Sequence, residues 1–364
     1  MSKYGEKTLS EIKQEPEVIR RALNQDNKIQ AIVAKIIEND PKFIIITGSG
    51  TSYHAGNAAV YLLHKFACIP CYCVHPSEFP YFTKFIINTD TTLISISQSG
   101  ESADTIEAST IAREKGALVI PIVNEEESTL AKLFPDDVIF SRAGKEYSVL
   151  ATKTYMSQLA IVSSISLELG VKSGKLAVDE YNKKKKELLL IPEKIEVISD
   201  EIHEKTKRIA KYLKFLEHGF VLGTGPDIAT SLETALKFKE GARIAFQGYS
   251  SYEFLHGPIT LADHENLIIA LIPPLKDNVE DEREKGILEI IQRVKNQGAS
   301  VLVIASKNDD IPNNVDFLMR IPNSSPELNP FLTIVPLQYL VLEIALQKGL
   351  DPDKPKGLTK IAVI

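Results

Sequence analysis

The chain has 364 residues, long enough for two domains each with its own core, and its 44% hydrophobic and 25% charged residues are those of a globular protein. A formal net charge of −6 argues against a nucleic-acid binder, so any anionic ligand is expected to be small and held locally. The amino terminus lacks an apolar core of signal-peptide length and no apolar run reaches membrane-spanning length, which predicts a cytoplasmic protein with no membrane partner.

Residues 1–40 form an expected helical arm, with helical apolar spacing from Leu9 to Asn39 broken by Pro16. Phe43–Thr47 reads as a strand, Gly48–Ser52 as a tight turn and Tyr53–Phe66 as a helix. Strand signals follow at Cys71–Val74, Leu93–Ile96 with a helix reaching Lys115, Leu118–Val123 and Val138–Phe140, then a long helix from Thr152 to Leu169. Such alternation predicts an α/β fold with a parallel sheet and helices on both faces. Cys68, Cys71 and Cys73, with His64 and His75 nearby, lack the second cysteine pair of a four-ligand site, so they read as buried reduced thiols and no metal is expected.

Residues 176–217 read as a helical linker ending near His218, with the charge run Lys183–Leu188 as a solvated face. Beyond it the first half recurs. Phe220–Pro226 matches Ile44–Gly50, Asn266–Ile272 answers the strand before Ser97, and Gly298–Ala305 answers Gly116–Val123. Phe317–Ile321 with the helix Phe331–Leu346 answers Val138–Leu169. Two tandem copies of one α/β unit are therefore expected, at 41–175 and 218–349, followed by a tail at 350–364.

The stretch from Ser97 to Ser102 leads from a strand's carboxyl end to a helix's amino end, where unpaired N–H groups and the helix dipole favour an anion. Ser97, Gln98, Ser99 and Ser102 add side-chain donors, giving either a phosphate cradle of neutral donors or a turn whose serines merely cap. The second-copy turns, Gly223–Pro226 and Pro273–Lys276, lack the hydroxyl cluster, so the first copy is assigned the site. Tyr53 and Ile228 stand at the third glycine position of a dinucleotide fingerprint, and no cofactor is expected.

Gly50–Tyr53, Ile69–Cys71 with Ser77–Phe79, Ser97–Thr105, Ala151–Lys153, Ala235–Glu240, His256–Pro258 and Pro355–Lys360 form seven ordered segments. Together they resemble the sugar isomerase (SIS) family, as in the isomerase part of glucosamine-6-phosphate synthase and stand-alone glucosamine-6-phosphate deaminases. The resemblance implies two tandem SIS subdomains of flavodoxin-like three-layer form, joined by a helical linker. It implies that Thr51, Ser52, Ser97, Gln98, Ser99 and Ser102 hold the sugar phosphate and adjoining hydroxyls, with backbone contacts from Val149. Ala151 stands where the family has a serine, which removes one hydroxyl donor.

Moving a proton between C1 and C2 of a sugar phosphate needs a positioned base, an acid at the ring oxygen and stabilisation of enediol-like charge. Glu240 follows Lys237 by three on the expected helix Ile228–Glu240, a spacing that equally describes an exposed ion pair. The resemblance casts Glu240 as the base with Lys237 as its electrostatic partner, and His256 as the ring-opening residue supplied across a homodimer. It casts Lys360 as the amine that forms an imine with the open-chain ketose, with burial under the apolar segment Ile361–Ile364 making the amine available. No cysteine precedes Cys68, so no glutaminase nucleophile is expected in this chain. The wording Tyr252–Pro258 resembles the deaminases and favours deaminating isomerisation of glucosamine 6-phosphate. The alternatives are a detached isomerase subunit partnered by a separate glutaminase, or a sugar-phosphate-binding regulator without catalysis.

Overall fold

The computed structural model describes residues 4–274 and 282–360. Helices α1 (Glu6–Lys13), α2 (Glu15–Leu23) and α3 (Asp26–Asn39) precede β1 (Phe43–Gly48), α4 (Thr51–Leu62), β2 (Cys71–Val74), β3 (Thr91–Ser97) and α5 (Ala103–Glu114). Next come β4 (Leu118–Val123), α6 (Thr129–Leu133), β5 (Ile139–Phe140), α7 (Lys153–Lys172), α8 (Val178–Leu189) and α9 (Ile191–Leu213). The remainder is β6 (His218–Gly223), α10 (Asp227–Lys237), β7 (Ala245–Ser250), β8 (Asn266–Leu271), α11 (Glu282–Asn296), β9 (Ser300–Ser306), β10 (Phe317–Ile321) and α12 (Pro330–Gln347).

Two parallel five-stranded sheets result, ordered β2-β1-β3-β4-β5 and β10-β9-β8-β6-β7. The central strands are apolar along almost their whole length because helices cover both faces, and β3 is buried at every residue. The described chain divides into two compact units. One comprises Gln14–Glu146, Ala151–Pro192 and Lys360; the other comprises 4–13, Tyr147–Leu150 and Glu193–Thr359. The arm, the linker and the tail are thus each shared out between the units.

Several local expectations change. Pro16 lies in the first turn of α2, where its missing N–H costs nothing, instead of breaking a helix interior. The linker helix ends at Leu213, and His218 opens β6. Lys185 does not belong to a solvated face: its ammonium donates to Asp26 at 2.9 Å and to the buried Glu168 at 3.1 Å. α12 is long and apolar enough to span a membrane by composition, contrary to the sequence reading, but 89% of that window is buried as a core helix.

Helices α4 and α10 each end in a π turn, Leu63–Ala67 and Phe238–Ala242, closed by a left-handed residue, Cys68 or Arg243. Gly48 and Gly223 end the preceding strands, and the same separation of 175 residues holds from β1 through the π turn, one residue off the alignment read from sequence. Cys68 is exposed, not buried, because it occupies that left-handed cap. Cys71 and Cys73 donate to carbonyls of α4, and burial pushes both thiols up to about 12, so they stay protonated.

Candidate active site

In the first unit, β1 and β3 are neighbours whose chains leave toward opposite edges, so a crevice opens at their carboxyl ends. Both flanking turns enter helices there, α4 at Thr51 and α5 at Ala103, and Ser49 Oγ ties them by donating to Asp104 Oδ2 at 2.8 Å. Gly100 is required at φ +66°, since a Cβ would stand 2.3 Å from Ser128 Oγ.

Three hydroxyls of this crevice are already engaged as acceptors. Ser97 Oγ accepts from Gly100 N–H at 3.0 Å and lies 3.4 Å from Ser102 Oγ. Ser99 Oγ accepts from Glu101 N–H at 3.2 Å, and Ser52 Oγ accepts from Gln158 Nε2 at 3.0 Å. Gln98 is half-buried and reaches Glu125 at 3.5 Å; Thr51, also half-buried, opens α4. Ser102 occupies the N-cap position of α5 but makes no side-chain capping bond, so its hydroxyl is not spent on the helix.

The same unit holds Lys360. Its Nζ lies 2.6 Å from Oε2 of Glu146, a carboxylate that also accepts from Thr152 N–H, Thr154 N–H and Thr154 Oγ1 at the start of α7. Lys360 is 27% exposed and meets a buried carboxylate, where the sequence reading placed an apolar cover; Ile361–Ile364 lie outside the described residues.

The second unit holds Lys237, Glu240, His256 and Val149. Lys237 is buried between two carboxylates, 2.6 Å from Glu240 Oε2 and 3.4 Å from Glu233 Oε1. The exposed-pair alternative does not apply: Lys237 and Glu233 have side chains 3% and 1% exposed, and only Glu240, at 17%, reaches the surface. Glu240 sits inside the π turn and not on a regular helix, a kind of interruption common at functional sites. His256 closes a short 3₁₀ turn and is exposed, and its imidazole makes no hydrogen bond or ion pair among the described residues. Val149 N–H is taken by Asp353 O at 3.1 Å.

At the corresponding crevice of this unit, Asp227 stands in the first turn of α10 where Ser52 stands in α4. Its carboxylate accepts from Thr333 and Asn329, each at 2.7 Å, and from Thr230 at 3.2 Å. Burial pushes it up to about 6 against the opposing pull of these bonds. Leu275 and Lys276 of the other second-copy turn lie outside the described residues.

Three residues of these clusters escape the sequence reading. Glu233 precedes Lys237 by four, a spacing that helical geometry makes legible. Glu146 and Gln158 carry no local signal.

The sequence profile of the SIS domain matches residues 39–167 and 217–348. The chain is 34% identical over 368 residues to glutamine–fructose-6-phosphate aminotransferase (isomerizing) of Fusobacterium nucleatum, covering 99% of this chain and 59% of that protein. Among solved structures it resembles the C-terminal domain of glucosamine-fructose-6-phosphate aminotransferase from Francisella tularensis, at 27% identity and TM-score 0.86, covering 98% of this chain and all of that one. A glucosamine-6-phosphate deaminase from Thermotoga maritima shares the fold at 23% identity and TM-score 0.72, covering 98% of this chain and 100% of that one. With both sheets inside the matched segments, the chain belongs to the SIS domain family.

Proposed function

We propose that the chain is a phosphosugar isomerase that moves a proton between C1 and C2 of a hexose 6-phosphate, and that it does so on glucosamine 6-phosphate with release of ammonia. The observation that carries this reading is Lys237, buried between Glu233 and Glu240 with only Glu240 reaching the surface. A buried ammonium held by two carboxylates is a poor device for stability, and its one open carboxylate has the placement of a general base.

In this reading the crevice of Thr51, Ser52, Ser97, Gln98, Ser99 and Ser102 holds the phosphate through neutral donors and the helix ends. Glu240 removes and returns the proton, Lys237 offsets the charge that develops, and His256 protonates the ring oxygen. Because the His256 side chain is exposed and unbonded among the described residues, a second subunit of a homodimer can receive it. Lys360 forms an imine at C2 of the open-chain sugar once its pair with Glu146 opens, displacing ammonia from that carbon, and water then releases fructose 6-phosphate and the free amine.

A second reading follows the Fusobacterium nucleatum relative, a glutamine–fructose-6-phosphate aminotransferase: the same chemistry run as the isomerase part of an aminotransferase that takes ammonia from a glutaminase. The chain spans 59% of that relative's length. Incubating the protein with glucosamine 6-phosphate decides between them. Ammonia and fructose 6-phosphate appearing together support deamination; fructose 6-phosphate turnover only with added ammonia or a glutaminase supports the second reading.

A further inference from the structure

We infer that Gln158 is a positioning residue: its amide sets the Ser52 hydroxyl as an outward donor to a phosphate, the role for which the second copy has substituted a carboxylate of its own. The inference rests on the reading of Ser52 as an anion ligand and adds what makes it one.

Ser52 and Gln158 are 6% and 2% exposed, and Gln158 Nε2 lies 3.0 Å from Ser52 Oγ. A hydroxyl carries one proton and two lone pairs. Once an N–H occupies a lone pair, the proton must point elsewhere. Ser97 and Ser99 follow the same rule, each accepting from a backbone N–H. None of residues 48–52 and 97–102 is Lys or Arg, so the direction of each O–H dipole carries an unusual share of the attraction for an anion.

The second copy gives the comparison. Asp227 replaces Ser52, and the partner from the opening turns of the corresponding helix, α12, is Thr333, which donates to Asp227 Oδ1 at 2.7 Å. The polarity of the bond is the same in both copies: the closing helix donates and the residue beside the strand end accepts. Where the acceptor is a carboxylate, the negative charge is built in and the crevice is satisfied. Where it is a hydroxyl, the bond is relayed, and an external phosphate completes it. Gln158 Oε1 is buried without a partner, consistent with an amide held by what its nitrogen does.

The test compares Ser52→Ala, Gln158→Leu and Gln158→Glu, with calorimetric binding of fructose 6-phosphate, inorganic phosphate and free fructose. Gln158→Leu is expected to weaken both phosphate-bearing probes about five- to tenfold, leave free fructose unchanged, and raise KM without lowering kcat. Gln158→Glu turns the relay round, since an ionised carboxylate draws the Ser52 proton toward itself. It is expected to bind phosphate worst at pH 8 and to recover relative to wild type as the pH falls toward 5, because a protonated carboxyl can donate again. Wild-type phosphate affinity in Gln158→Leu together with a pH-independent ratio in Gln158→Glu overturns the inference if Ser52→Ala is weakened. If Ser52→Ala also binds phosphate normally, the reading of Ser52 as a ligand falls, and the inference with it.

Discussion

Lys360 Nζ and Glu146 Oε2 stand 2.6 Å apart, and the carboxylate is wholly buried while the lysine is 27% exposed. One carboxylate therefore does two jobs, capping the amino end of α7 and seating the carboxyl-terminal segment. Glu146→Gln keeps an oxygen for the helix N–H groups but releases the lysine. Tryptic cleavage after Lys360, followed by mass spectrometry, is expected to quicken roughly tenfold, the equivalent of about 1.4 kcal/mol. An unchanged rate would show that the pair does not hold the tail.

Removing Lys237 takes away the ammonium that Glu233 and Glu240 share. Lys237→Met is expected to lose about 3–5 kcal/mol of stability in urea unfolding, and adding Glu233→Gln to restore part of it. Glu240→Gln, by contrast, is expected to unfold nearly as the wild type does. Its loss should appear in solvent-proton exchange at C1 of fructose 6-phosphate, slowed about 10²- to 10⁴-fold with binding retained. Normal exchange in that variant would remove Glu240 as the base.

The crevice proposed to hold the phosphate makes a prediction of its own. Ser99 holds its oxygen against Glu101 N–H and has a proton to give. Ser99→Ala is expected to weaken fructose 6-phosphate by about 0.5–1.5 kcal/mol, two- to tenfold, and free fructose not at all. Equal losses for the two sugars would place the phosphate elsewhere.

Asp227 makes stability depend on pH. Its native carboxyl is raised from 3.8 to about 6, so the folded state holds the proton more tightly than the unfolded one. The contribution is full below about pH 3.8 and is lost as the pH rises through about 6. The difference is on the order of 3 kcal/mol. Asp227→Asn should lack this component, so its unfolding free energy should fall less between pH 4 and pH 7 than that of the wild type. Parallel curves for the two proteins would show that Asp227 does not titrate there.

Much of the fold was legible because a parallel sheet covered on both faces needs continuous apolar strands, and β1, β3, β8 and β9 supply them in runs such as Phe43–Thr47 and Ser300–Ser306. The tandem repeat was legible for the same reason. The π turns were not: an extra residue in a helix leaves no mark in composition, so Tyr53–Phe66 and Ile228–Glu240 read as plain helices. Glu240 and Lys237 were found by spacing, and Glu233 could have been found the same way. The Glu146–Lys360 pair joins residues 214 apart, and only the folded chain brings them together.

The two π turns also carry history. An inserted residue at the same place in both halves, each followed by a left-handed cap, is most simply inherited from a single ancestral copy that already had it. Glu240 in the later half and Lys65 in the earlier one occupy the same slot of that turn. The two halves thus share one backbone device, which presents an ammonium in the first and a carboxylate in the second.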